Sequence, residues 1–112
     1  MGRIEGGARA ALSLMHQAIF TPAARSELTD AQDWYENERP GLGRRFRAAV
    51  DDAVQRIRAN PLQFPAVYLG VRRALVRLFP YALLFVMEAD ESLTVIGCFH
   101  GSRDPLVWQR RV

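Results

Sequence analysis

Residues 21–60 carry two apolar stripes with the spacing of α-helices. The first follows Thr21 and Pro22, a threonine N-cap before a proline at the first helical position. Its apolar positions recur every three or four residues: Ala24, Leu28, Ala31 and Tyr35. A wider stripe follows the break at residues 39–41: Leu42, Phe46, Ala49, Val50, Ala53, Val54 and Ile57. Because so short a loop joins them, the two helices are predicted to form an antiparallel hairpin.

The flanking segments have the two-residue period of β-strands. A short strand is predicted before the hairpin, at residues 17–20. Residues 71–79 mix arginines and apolar residues on both sides of a two-residue period, which is expected of a strand near a sheet edge. Pro80 then breaks the pattern. Residues 82–87 are apolar on both faces and predict a central strand, and residues 93–99 predict the strand that returns beside it.

This order of elements predicts one α+β domain over residues 17–112. A short N-terminal strand precedes an antiparallel helical hairpin, which packs on a small antiparallel sheet in the order β-α-α-β-β-β. Residues 1–16 are expected to be a leader, tag or flexible arm. Trp34 and Tyr35 are expected to pack in the core and between the helices. One core between hairpin and sheet is expected to contain Phe46, Val50, Ile57, Leu84, Val86 and Val95.

The positive charge is carried entirely by arginine. Fifteen basic residues, none of them lysine, face twelve acidic residues and leave a net charge of +3. This balance favours an acidic partner, either nucleic acid or an acidic protein segment, and the lack of lysine excludes a lysine base or Schiff-base nucleophile. Cys98 is the only cysteine and lies in an apolar run, so an intramolecular disulfide is excluded. No cofactor or metal signature and no membrane-length run is present, and a cytoplasmic protein is expected.

The chain resembles the RelE/ParE superfamily of bacterial type II toxins over residues 17–111. An ordered set of short motifs carries the resemblance: Trp34-Tyr35-Glu36, Pro40-Gly41-Leu42-Gly43, Phe46, Ile57-Arg58-Ala59-Asn60-Pro61, Val71-Arg72-Arg73, Phe79-Pro80-Tyr81, and His100-Gly101-Ser102-Arg103-Asp104-Pro105 with Trp108. The resemblance implies a toxin neutralised by a labile, acidic antitoxin that wraps over its surface in a hetero-oligomer. Some relatives cut messenger RNA on the ribosome, and others inhibit DNA gyrase without nuclease activity.

Ribosome-dependent mRNA cleavage is the leading expectation for function. It requires proton transfer, charge stabilisation on the phosphate and a stacking surface, for which the candidate catalytic residues are Arg73, Arg77, Tyr81, His100 and Arg103. Candidates for binding a partner or nucleic acid are Arg72, Trp108, Arg110 and Arg111. The alternatives are a gyrase inhibitor that depends on the tail from Pro105 onward, and an inactive basic interaction module.

Structural interpretations of the same residues stay open. His100, at the end of a strand, can bond to the backbone without any ligand. The arginines at positions 72, 73 and 77 can protect an edge strand by charge alone. Trp108 can cap the core. In many of the RNA-cutting relatives an arginine follows the turn into the central strand, where this chain has Phe79-Pro80-Tyr81.

Overall fold

The computed structural model describes residues 15–112 and contains a five-stranded sheet covered on one face by a helical hairpin. The elements in chain order are β1 (Ala18–Phe20), α1 (Pro22–Glu38), α2 (Leu42–Ala59), a 3-10 turn (Pro61–Gln63), β2 (Ala66–Tyr68), β3 (Val71–Leu75), β4 (Tyr81–Met87), β5 (Leu93–His100) and α3 (Leu106–Gln109). The strands lie in the order β1-β5-β4-β3-β2. The predicted α+β class and its β-α-α-β-β-β order are confirmed.

The sheet is mixed, because β1 runs parallel to β5 while every other pair is antiparallel. A parallel pair requires a long connection between its strands, and here that connection is most of the domain. Strand β2 was not predicted, since its three residues are too few to carry a periodic signal. The strand predicted over residues 71–79 ends at Leu75, because Leu78 turns the chain with a φ of 72°.

A side-chain acceptor caps the start of each helix of the hairpin. Thr21 Oγ1 accepts from the Ala24 N–H at 3.1 Å, which confirms the predicted N-cap of α1. The Glu36 carboxylate accepts from the N–H groups of Gly41 and Gly43 at 2.9 and 3.0 Å, so α1 supplies the partners that the start of α2 lacks. Glycine is required at position 43, where a Cβ would lie 2.7 Å from a carbonyl of α1.

Two cores lie on opposite faces of the sheet. The larger one lies under the hairpin and contains Phe46, Val50, Ile57 and Val95, as predicted. The expectation that Leu84 and Val86 share it is wrong, because alternate residues of β4 face the other side of the sheet. There α3 covers a second core: Val71, Leu84, Ile96, Phe99 and Trp108, with Val86 packed against it.

The two adjacent aromatic residues of α1 face different surroundings. Tyr35 is buried in the larger core and contacts Phe46, as predicted. Trp34 is 56% exposed, so its expected burial is wrong. Successive residues on a helix point about 100° apart, and only one of the two can face the sheet.

The start of the described chain is fixed to the rest of the fold. His16 accepts from Arg58 through its carbonyl at 2.9 Å, and its ring lies 2.6 Å from the Glu91 carbonyl oxygen. Residues 1–14 of the predicted leader lie outside the described residues. Across residues 15–112, no helix is long and apolar enough to cross a membrane.

Candidate partner-binding site at the end of the last strand

Tyr81 and His100 lie side by side where β4 begins and β5 ends. They are register partners across the two strands, and their rings meet edge to face with centroids 5.4 Å apart. The chain then turns away, and the Gly101 N–H donates to the Pro80 carbonyl at 2.8 Å. Tyr81 also packs on Phe46 at 5.1 Å, which anchors the site to the larger core.

The hydrogen bonds of His100 determine which of the two nitrogens of its neutral ring carries the hydrogen. Nδ1 accepts from the Ser102 N–H at 3.1 Å and lies 2.8 Å from the Ser102 hydroxyl. A backbone N–H can only donate, so Nδ1 is unprotonated and Nε2 carries the hydrogen. The exposed nitrogen of the neutral ring is therefore a donor. This backbone contact also fits the structural interpretation, in which His100 bonds to the backbone without any ligand.

A cleft of about 540 Å³ separates α1 from the strand ends at this site. Its lining is partly aromatic and includes Tyr81 and the exposed Trp34. Both signs of charge line it: Glu27 and Asp30 from α1 lie across from His100 and Arg103. The two carboxylates and Trp34 were missed as site residues, although their spacing of three and four places them on one face of the helix.

Glu27 and Arg111 bind backbone groups of β5 beyond the residues that pair with β1. Strand β1 pairs only with residues 93–95. Beyond them, the Glu27 carboxylate accepts from the Cys98 N–H at 3.2 Å, and the Arg111 guanidinium donates to the Ile96 carbonyl. The two side chains also bind each other through both carboxylate oxygens, at 3.1 and 2.8 Å. An ion pair thus takes the place of a neighbouring strand.

A smaller pocket of about 110 Å³ lies on the opposite face of the sheet. It brings Arg73 and Arg103 to His100, beside Trp108. The Arg103 guanidinium lies 5.5 Å from the centre of the Phe99 ring, a cation–π distance. Four candidate catalytic residues therefore meet at the strand ends, but on two faces: Tyr81 faces the hairpin and Arg73 the other side.

The remaining candidates lie elsewhere or serve the fold. Arg77 lines a separate groove beside α2, with its guanidinium 3.8 Å from Asp52. Arg72 donates to the Phe64 carbonyl and thereby holds the chain before β2. Trp108 is only 8% exposed and packs in the second core, as its structural interpretation requires. Arg110 is exposed next to Arg111.

Burial sets the protonation of two groups in the cleft. It raises the pKa of Tyr81 above its ordinary value, with a smaller rise from Cys98 and an opposing effect of Arg103. It also raises the pKa of the Cys98 thiol to about 12, with Glu27 adding to the rise. Both groups stay protonated near neutral pH. Among the described residues, no cluster of three or more histidine, cysteine or carboxylate side chains has the geometry to hold a metal ion.

Comparison with known families identifies the fold. The family model of the ParE toxin of the type II toxin-antitoxin system parDE matches residues 18–105, which is most of the chain. The chain belongs to the ParE toxin family. No curated protein matches this toxin in sequence. Among solved structures, a chain of the chromosomal ParDE toxin-antitoxin system from P. aeruginosa is similar in fold, with a TM-score of 0.67 at 17% identity. The match covers 77% of this toxin and 96% of that chain.

Family membership gives the toxin its partner class. A ParE toxin belongs to a two-component system, so this toxin pairs with an antitoxin. The predicted RelE/ParE resemblance is thereby confirmed.

Proposed function

We propose that this toxin arrests growth in the cytoplasm by binding DNA gyrase, without cutting RNA. The observation that carries the proposal is the charge of the cleft beside His100. Glu27 and Asp30 line it. Arg111 balances the charge of Glu27, and the Asp30 carboxylate repels the phosphate backbone that a ribonuclease must bind. The leading expectation of mRNA cleavage therefore has less support than its alternative.

The proton chemistry of the site also argues against RNA cleavage. A ribonuclease needs a base to take the proton of the 2′-hydroxyl. The neutral His100 ring presents a donor at its exposed nitrogen, because the Ser102 N–H occupies Nδ1. Tyr81 cannot serve instead, since its raised pKa keeps it protonated at neutral pH.

The arginine arrangement supports the same conclusion. Stabilising the anionic phosphorane requires several cations aimed at one point. Arg77 lies in another groove, and Arg72 is engaged with the backbone before β2. Of the candidate catalytic arginines, Arg73 and Arg103 lie at the strand ends. The cleft combines the exposed Trp34 with Arg103, and tryptophan and arginine are enriched in protein interfaces.

Pulse labelling after induction tests the proposal in cells. We expect DNA synthesis to stop before protein synthesis, and His100→Ala, which trims one side chain of the cleft, to weaken the arrest only modestly. Primer extension on cellular mRNA serves as the parallel readout, and we expect no new 5′ ends. Codon-specific cuts that disappear in His100→Ala, with translation failing first, would contradict the proposal.

A further inference from the structure

A second groove, of about 560 Å³, lies at the end of the hairpin where its two helices are joined, away from β1. We call it the turn groove, because the start of α2 and the turn between β3 and β4 form its walls. Its lining includes Arg39, Leu42, Arg45, Asp52, Arg77 and Leu78. The site at the strand ends shares none of these residues.

The tip of the turn holds a leucine in a conformation that leucine disfavours. Leu78 has a φ of 72° and is 90% exposed. Its neighbours force this geometry: Val76 is buried and donates its N–H to the Tyr81 carbonyl at 2.9 Å, and Phe79 packs on Phe46 at 5.2 Å. A left-handed backbone is strained for a residue with a branched side chain. The fold therefore holds a large apolar side chain in water, where an asparagine or glycine would suit the backbone better.

The charge of the turn groove is positive. Arg39, Arg45 and Arg77 face a single carboxylate, Asp52. That carboxylate is already bound by Arg56 at 3.0 Å. Within residues 15–112, the side chains of Arg39 and Arg45 make no hydrogen bond or ion pair. Two guanidinium groups are thus free to bind an acidic ligand beside an apolar surface.

We propose that the turn groove docks an acidic segment of the antitoxin, with an apolar anchor residue against Leu78 and Leu42. The occupant follows from the chemistry of the groove and from the pairing of ParE toxins with antitoxins. Buried apolar anchors with charge pairs at their rim are the usual source of affinity in such interfaces. Nucleic acid fits less well, because the lining is half apolar and Asp52 lies within it.

The turn between β2 and β3 offers a matched control. Leu69 also has a positive φ, of 42°, and is 73% exposed, but it does not line the turn groove. Asparagine tolerates the left-handed region, so Leu78→Asn and Leu69→Asn should both leave the melting temperature unchanged or raise it. Any loss of binding in Leu78→Asn alone is therefore a loss of contact and not of fold.

The experiment measures the dissociation constant between each purified toxin variant and the product of the adjoining antitoxin gene. We expect Leu78→Asn to weaken binding about tenfold or more and Leu69→Asn to change it less than twofold. Replacing Arg39, Arg45 and Arg77 together by glutamine should weaken binding and flatten its dependence on salt. Equal constants for Leu78→Asn and Leu69→Asn would overturn the proposal.

Two further readouts separate the antitoxin from other occupants. Without antitoxin, the turn-groove variants should arrest growth like the wild type, and co-expressed antitoxin should no longer rescue the cells. Variants that lose toxicity while they keep antitoxin binding would assign the groove to the target and overturn the proposal. A gel shift with duplex DNA that depends on the three arginines, with antitoxin binding unchanged, would overturn it as well.

Discussion

The ion pair between Glu27 and Arg111 provides a direct test of how the C-terminal tail serves this fold. Arg111 donates to both carboxylate oxygens of Glu27 and to the Ile96 carbonyl, and its guanidinium lies 5.0 Å from the centre of the Phe99 ring. Arg111→Ala removes all of these contacts. Among residues 15–112, it leaves the Glu27 carboxylate beside β5 with only the Cys98 N–H as a partner.

The expected cost follows from the burial of the pair. The two side chains are 25% and 21% exposed, so the pair lies between a surface pair and a buried one. Exposed pairs contribute about 0 to 1 kcal/mol, whereas breaking a fully buried pair costs about 3 to 5 kcal/mol. We therefore expect Arg111→Ala to lower the free energy of unfolding by about 2 kcal/mol. For a chain of 112 residues this corresponds to a melting temperature lower by about 8 °C.

Arg110 is the matched control for this prediction. Arg110→Ala removes the neighbouring, exposed guanidinium and should change stability by less than about 0.5 kcal/mol. Urea unfolding followed by circular dichroism measures both variants, and Glu27→Gln completes a double-mutant cycle. Glutamine keeps an oxygen for the Cys98 N–H, so the cycle isolates the charge interaction. Equal stability of Arg111→Ala and Arg110→Ala would refute the assignment of the tail to the fold.

Three other predictions follow from the interior. Phe46→Ala should cost about 3 to 5 kcal/mol in urea unfolding, because Phe46 is fully buried among aromatic rings, whereas Leu62→Ala on the surface should cost little; a small loss in Phe46→Ala would contradict the position of the core. Cys98 should resist iodoacetamide at pH 8 until urea unfolds the chain, because its thiol pKa is about 12; rapid labelling of folded protein would contradict its burial. Folded Tyr81 keeps its proton to higher pH than unfolded chain does, so stability should fall as the pH rises above 10; melting temperatures that stay level there would oppose the raised pKa.

The elements that carry strong periodicity were predictable from the sequence. The stripe through Phe46 and Ile57 and the cap at Thr21 define the hairpin, because local hydrogen bonding and one buried face decide a helix. The parallel pairing of β1 was not predictable, since the sequence of a three-residue strand does not indicate which strand it pairs with. The side of the sheet that Leu84 faces was predicted wrongly, because the sequence of a strand that is apolar on both faces does not indicate which face lies under the hairpin.

The candidate site was predictable in position but not in composition. The sequence places His100 and Arg103 at a strand end, and the structure brings Tyr81 and Arg73 to the same end. Arg77 was expected there on the assumption that its strand continued, but the strand ends at Leu75 and Arg77 lies in the turn that follows. Glu27 was missed because its contact with Cys98 of β5 joins residues that are far apart in the sequence.

Inhibition of purified DNA gyrase tests the central claim most directly. Plasmid supercoiling is measured with increasing amounts of the wild-type toxin and of His100→Ala, with and without the antitoxin. We predict that both proteins inhibit supercoiling, that His100→Ala raises the inhibitory concentration only modestly, and that the antitoxin relieves the inhibition. Unimpaired supercoiling at every toxin concentration, together with His100-dependent cleavage of mRNA on translating ribosomes, would contradict the account.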